Sequence, residues 1–294
     1  MLKGLLYYLL AALAYVFSVI PLRIHYIFVD MLSWMAWKMK LYRYKVILRN
    51  LRSSFPDKTD REISHIAREY YRHLLDCMVE SLKLLTMNNR QLDRRVKVYG
   101  VETMTPAVEA GKQIVLFLGH YGNWEWVPAI TRHFSRPEVM AQIYRPLRDP
   151  VSARLTFKIR HRFGALNIPQ KQAFRTLLTL KNQGKQTITG FIADQRPNSA
   201  NLNHWTTFLG QDTAYAPGGE EIGRRIDAAY FYLDVEKTSR GHYSLTFIPI
   251  EPVEGEEYPY TIGYLRMLES TIRRAPAYWL WSHNRWKFKR TRHQ

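Results

Sequence analysis

One cysteine, Cys77, is all that the 294 residues contain. A single thiol excludes an intramolecular disulfide and any zinc site built from cysteines. Set on a predicted helix, it reads as a small buried side chain rather than a nucleophile, and a reducing compartment suits it. Acidic residues are scarce: 25 Asp and Glu stand against 43 Lys and Arg, a formal charge of +18. Such a surface favours anionic partners, whether nucleic acid, acidic lipid headgroups, phosphorylated substrates or an acidic carrier protein. Long Pro, Ser or Gly tracts and internal repeats are missing, so extended disorder is not expected and no interdomain linker stands out. The apolar share, 46%, is enough for a real core.

Charge is also missing from residues 4–22, "GLLYYLLAALAYVFSVIPL", a stretch about as long as a bilayer core requires. A cleaved signal peptide would have a shorter apolar region, and "SVIPLR" offers no small-x-small cleavage site. Lys3 alone precedes the segment, whereas Arg23, Lys38, Lys40, Arg43, Lys45 and Arg49 follow it. If the segment spans, this asymmetry leaves the bulk of the chain in the cytoplasm. A second apolar stretch, "YIFVDMLSWMAW", is too short to span and carries Asp30, so it suits a helix at the interface or packed on the domain. The expectation is a membrane anchor over residues 1–40 and a cytosolic domain over 41–294.

Within that domain, helix and strand patterns alternate. "TDRE" at 59–62 is a capping-box pattern, and Ile63, Ile66, Tyr70, Leu74, Met78 and Leu82 then recur at helical spacing. Short strands are predicted over 94–100, 113–118, 139–144 and 186–194. Basic and amphipathic helices stop at Gly164 and Gly184, residues suited to a helix C-terminus. A helix opens at "PGGEEIGRRI", a hairpin turns at Ser239-Arg240-Gly241, and a last helix covers about 259–274. This predicts one α/β domain with a mixed, mostly parallel sheet flanked by helices.

The segment "GHYGNWEW" (119–126) follows the apolar run "IVLFL". His with an acid five positions on is weak as a pattern, because the chain offers it three times: His25/Asp30, His120/Glu125 and His133/Glu138. Only His120/Glu125 stands at the C-terminal end of a buried-type strand, where open α/β sheets place their ligands. Gly122 permits a tight turn, Asn123 can cap the following helix, and Glu125 in its first turn can fold back toward His120. A carboxylate there would fix the imidazole tautomer and stabilise the imidazolium, the arrangement for deprotonating an alcohol or amine. The plain alternative, a capped helix start with a structural His, stays open on spacing alone.

In this strand-end setting "GHYGNWEW" resembles the lysophospholipid acyltransferase superfamily, and more closely the late lipid A acyltransferases that add lauroyl or myristoyl chains. The resemblance runs along nearly the whole chain, through "NLRSSFPDKTDREI", "YRP" at 144–146, "ADQ" at 193–195 and the closing "WLWSHNRWK". It implies a glycerolipid acyltransferase-like fold, His120 as general base and Glu125 as its orienting carboxylate. It also implies substrate contacts from Arg145, Arg162, Asp194 and Gln195, with Asn123 of the same loop beside them. The implied donor is an acyl thioester on acyl carrier protein, the acceptor a hydroxyl of a lipid A precursor, and the place the cytoplasmic face of a bacterial inner membrane. No metal and no bound cofactor are expected. Trp124 and Trp126 are residues that could line an acyl slot or simply pack. The "GNWEW" form also resembles branches that acylate lysophospholipids, amino lipids or other glycolipids, which leaves the acceptor open. A non-enzymatic reading, a basic protein on an anionic membrane or nucleic acid, has the "RWKFKRTR" tail in its favour, but nothing resembles a nucleic-acid-binding module.

Overall fold

A computed structural model describes residues 2–133, 139–146 and 149–290. The apolar N-terminus forms two helices, α1 (Leu2–Val19) and α2 (Leu22–Lys38), bent by 106° at their junction. Pro21 at the break has no amide hydrogen and biases Ile20 away from helix, so α1 cannot continue. The carbonyls left over at the end of α1 are taken by Lys83, whose Nζ donates to Ser18, Val19 and Ile20 at 2.6, 3.2 and 3.1 Å. α1 therefore ends at Val19, short of the end of the uncharged stretch 4–22. No single described helix is long and apolar enough to cross a membrane; only the bent pair together reaches that length and composition.

Next come α3 (Tyr44–Ser54), α4 (Asp60–Lys83) and α5 (Asn89–Arg95). The capping box at Thr59 and Glu62 is present as expected, with Thr59 N–H donating to the Glu62 carboxylate at 2.8 Å. The α/β part follows as β1 (Val96–Tyr99), α6 (Thr105–Glu109), β2 (Gln113–Leu118), β3 (Val139–Tyr144), α7 (Pro150–His161), β4 (Leu166–Pro169), α8 (Ala173–Asn182) and β5 (Thr187–Ile192). A hairpin of β6 (His204–Phe208) and β7 (Gln211–Tyr215) precedes α9 (Gly218–Ile226), β8 (Ala228–Ser239), β9 (His242–Pro249) and α10 (Pro259–Arg274). Seven strands make one sheet in the order β1-β9-β8-β2-β5-β3-β4, parallel throughout except for the β8/β9 hairpin. The fold is thus the single α/β domain with a mostly parallel sheet that the sequence predicts.

Two pieces differ from expectation. The segment read as a loop before α9 contains β6 and β7, short and polar strands that pair only with each other. Their turn holds Leu209 and Gly210 at positive φ, +52° and +71°. The buried backbone of Leu209 is secured by its N–H, which donates to Glu269 at 2.7 Å. Second, the residues after Asn123 form a 3-10 run, Trp124–His133, rather than an α-helix, and Pro128 inside it cannot donate to the ladder.

The sheet positions the site through one pairing. β2 is central and buried at every residue, as a strand covered on both faces must be. It pairs in parallel with β5, with Leu118 opposite Ile192. The chain therefore leaves the two strands side by side, and residues 120 and 194 emerge at the same height. The turn after β2 depends on Gly122: its φ is +59°, and a Cβ there would lie 2.6 Å from Val235 Cγ1. Gly111 shares the left-handed backbone, at φ +72°, but has open space around it. Gly111→Ala should cost about 1 kcal/mol for the backbone alone. Gly122→Ala should cost roughly 1–3 kcal/mol more because the side chain must displace Val235. Chemical denaturation of the two variants checks this, and equal losses would contradict the packing argument.

Candidate active site

His120 leaves the end of β2 and meets Asp194 leaving the end of β5. The imidazole Nδ1 lies 2.6 Å from Asp194 Oδ1, and the backbone N–H of His120 donates to Oδ2 at 2.9 Å. Trp279 Nε1 donates to the same Oδ2 at 2.7 Å. The carboxylate is sealed, its side chain 1% exposed, while the imidazole is 18% exposed. Such a carboxylate fixes the tautomer with hydrogen on Nδ1 and leaves Nε2 as the basic nitrogen. Nε2 faces the side-chain amide of Gln195 at 3.3 Å, and the edge of Trp124 packs against the ring, centroids 5.2 Å apart.

The carboxylate hydrogen-bonded to His120 is Asp194, which the resemblance placed among the substrate contacts. Glu125 is engaged elsewhere: Arg160 on α7 binds it through Nε at 2.9 Å and Nη2 at 2.5 Å, a bidentate pair. Burial opposes the charge on Arg160, and the Glu125 carboxylate more than restores it, raising its pKa. Arg162, the arginine expected at the site, lies in the turn just past the end of α7. Its Nη1 donates to the Leu84 carbonyl and its guanidinium lies 5.6 Å from the Phe163 ring, away from the cleft. Asn123 also turns away from it. Buried between α4 and the loop, it donates to Glu80 Oε2 at 2.8 Å instead of capping the next helix or facing substrate. Arg145, just past β3, and Gln195 do line the cleft. His133/Glu138 falls partly outside the described residues.

The cleft is a cavity of about 530 Å³ at the C-terminal ends of β2, β3 and β5. Leu116, Leu118, Ile130, Met140, Phe191 and Ile222 supply apolar wall, and Arg145, Arg160, Gln195 and Arg196 supply polar wall. A size and lining of this kind suit one elongated, mainly apolar ligand with an anionic or carbonyl group at one end. Among the described residues no group of three or more His, Cys, Asp or Glu is placed to hold a metal ion.

The C-terminal segment 278–285 closes the site from behind. The Tyr278 carbonyl accepts from Gly122 N–H at 3.0 Å, and Tyr121 bridges to Trp279. Burial lowers the His283 pKa to about 4, so it is neutral at pH 7, and its Nε2 accepts from Arg196 N–H at 3.3 Å. Sequence reasoning attached no role to Trp279, and Arg160 was passed over for Arg162. The β2/β5 register that joins Asp194 to His120 is a tertiary fact without a local signal.

Burial alone would raise the Asp194 pKa above the ordinary 3.8; the charge of His120 and the N–H donors outweigh it and bring it down to about 2. A carboxyl lowered on folding adds stability at every pH above its unfolded value. That contribution fades as pH falls through the folded value. Asp194→Asn should thus unfold at a lower temperature than wild type near neutral pH. The gap should narrow only as pH drops from about 4 toward 2, since the unfolded chain takes up the proton first and the folded carboxyl joins it only near 2. Thermal melts across that range measure it, and a gap that stays constant down to the acid limit would contradict the assignment.

A profile of the bacterial lipid A biosynthesis acyltransferase family matches residues 1–288. A lipid A biosynthesis acyltransferase of Haemophilus influenzae is similar at 20% identity over 249 residues, covering 84% of this chain and 76% of that protein. With a match that runs from the first helix through the segment holding Asp194 in place, the chain belongs to the bacterial lipid A biosynthesis acyltransferase family and is an acyltransferase.

Proposed function

We propose that the protein moves a fatty acyl chain from acyl carrier protein to a hydroxyl of a lipid A precursor, with His120 as general base and Asp194 as its orienter. The observation that carries this reading is the His120–Asp194 pair set in the wall of a cavity that is apolar over much of its lining and cationic elsewhere. The acceptor hydroxyl gives its proton to His120 Nε2 as its oxygen attacks the thioester carbonyl. The tetrahedral intermediate then collapses, the C–S bond breaks, and the imidazolium returns the proton to the departing thiolate. Asp194 stabilises the imidazolium between the two steps. Glu125 acts through Arg160: the bidentate pair holds the guanidinium still in the cavity wall, where it can offset charge developing on the carbonyl oxygen or hold an acceptor phosphate. The apolar wall receives the acyl chain, each buried methylene contributing about 0.8 kcal/mol. Fatty chains supply the binding energy, and the dyad supplies the chemistry.

Transfer of a radiolabelled acyl chain to a Kdo-bearing precursor tests this. His120→Ala should lower kcat by roughly 10²–10⁴-fold, and Asp194→Asn should follow it in direction. Wild-type rates in both variants would sink the proposal. Mass spectrometry of lipid A from a deletion strain checks the acceptor: a missing acyl chain supports lipid A, and an unchanged lipid A moves the acceptor to another lipid.

We further propose that the α1–α2 elbow rests in the cytoplasmic face of the inner membrane, where the hydrocarbon of the lipid acceptor lies. Ile27, Phe28 and Trp34 are 69%, 56% and 62% exposed, an apolar face that a soluble surface rarely leaves bare. The positive charge of the chain adds attraction to anionic lipid. Replacing all three with Glu should leave the fold intact and weaken binding to anionic vesicles at least tenfold, since each side chain is worth about 1.5–3 kcal/mol when buried. Unchanged vesicle partition would remove the elbow from the membrane.

A further inference from the structure

The basic residues are not spread evenly, and one group of them leads to the cavity. On α3 the exposed side chains include Lys45, Arg49 and Arg52, above a groove of about 480 Å³ that Tyr44 and Leu48 also line. Side chains of α3 and the residue before it grip the C-terminal segment. Asn50 Nδ2 donates to the Trp281 and His283 carbonyls, each at 2.9 Å, and Arg43 Nη1 donates to the Ser282 carbonyl at 3.0 Å. Arg49 Nη2 reaches Asn284 Oδ1 at 2.6 Å. The segment then runs on with exposed Lys287, Lys289 and Arg290. The Phe288 ring lies 5.1 Å from the guanidinium of Arg196, which itself lines the catalytic cavity. A basic track thus runs from the α3 groove along the C-terminal segment to the wall of the cleft. Asp60, held by Arg52 at 3.0 Å, is an acidic residue in contact with it.

We infer that this track is the docking surface for the carrier protein that delivers the acyl thioester, its acidic face lying along α3 and the C-terminal segment. The inference rests on the acyl-carrier-protein reading of the reaction. Charge complementarity selects the partner: an acidic protein gains from a row of cations, and a row fixed to the cleft wall delivers the thioester where it is used. A bilayer is the weaker match. Most of the large exposed apolar side chains that a bilayer takes up lie on α1, α2 and the turn after α2, where Met39, Leu41 and Tyr42 are exposed, whereas Leu48 of the α3 groove is itself buried, 9% exposed.

The test compares two donors with the same acyl chain, one on the carrier protein and one as a plain pantetheine thioester. The triple variant Lys45→Glu, Lys287→Glu, Lys289→Glu changes none of the residues placed at the dyad or the cavity. It should raise KM for the acyl carrier protein at least about tenfold, with a flattened salt dependence. Its kcat and its rate with the pantetheine thioester should match wild type. Equal loss with both donors overturns the inference. So does an unchanged KM together with lost binding to phosphatidylglycerol vesicles, which would make the track a lipid contact. Calorimetric binding of holo-carrier protein separates this inference from the reaction it rests on. A wild type that binds the carrier yet transfers nothing retracts the reaction. A wild type that uses the pantetheine thioester but binds no carrier overturns the docking surface alone. Lys45→Glu by itself, with its circular dichroism unchanged, gives the same readout should the triple variant fold poorly.

Discussion

Asp194 is a buried carboxylate at the meeting point of the sheet, the dyad loop and the C-terminal segment. Its two oxygens take the imidazole N–H, the backbone N–H of His120 and the indole N–H of Trp279. Two of the donors belong to His120 after β2 and the third to Trp279, so the charge is accommodated only when β2, β5 and residues 278–285 are all in place. An isolated carboxylate at that depth would cost several kcal/mol or take up a proton. With three donors it stays ionised, and the imidazole it holds keeps one tautomer. Stability and chemistry depend here on the same contact.

A second buried carboxylate supports the loop from its other side. Glu80 on α4 accepts from Tyr26 at 2.9 Å and from Asn123 and Tyr243 at 2.8 Å each, while its backbone carbonyl accepts from Trp126 Nε1 at 3.1 Å. Burial raises its pKa, and the bonds from Asn123 and Tyr243 pull the other way. One turn earlier, Asp76 is neutralised by Lys237 at 3.2 Å and Arg240 at 2.8 Å, and Arg240 continues to Asp30 of α2. Through these groups the apolar elbow, α4 and the dyad loop share one hydrogen-bonded layer. Breaking one partner would strand a charge away from water, which is the costly failure of such layers. The buried side of α2, with His25, Val29 and Ser33, is thereby fixed to the domain while its other side keeps Ile27, Phe28 and Trp34 exposed.

What the sequence could reveal follows from how local each signal is. The capping box at Thr59, the stops at Gly164 and Gly184 and the apolar run of β2 are written within a few residues, and each is found where expected. His120 was legible because a strand end is a local pattern. Its partner was not, because the link from position 120 to 194 is made by strand register, and two acids near His120 were equal candidates on chemistry alone. Glu125 was nearer in sequence, yet a 3-10 turn directs it toward α7, where Arg160 meets it. Arg160 sits in the last turn of α7 and Arg162 just past its end, so telling them apart requires knowing where α7 stops and packs. The hairpin of β6 and β7 escaped notice because its strands are short and polar and leave no apolar alternation to read.

The distribution of positive charge follows from the same economy of acids. Arg285, 2% exposed, has no hydrogen-bond partner for its guanidinium nitrogens among the described residues, and burial lowers its pKa to about 10. It still carries its charge at neutral pH, and the Asp194 carboxylate is the main group that favours it there. His283, which also feels Asp194, stays neutral because burial outweighs that attraction. A protonated His283 would place a third cation beside His120 and Arg285, against one carboxylate. A neutral His283 leaves that carboxylate to the Arg285 guanidinium and to the His120 N–H groups that it accepts from. The buried carboxylate that holds the imidazole thus also faces the charge of Arg285, while Lys287, Lys289 and Arg290 farther along the same segment lie exposed.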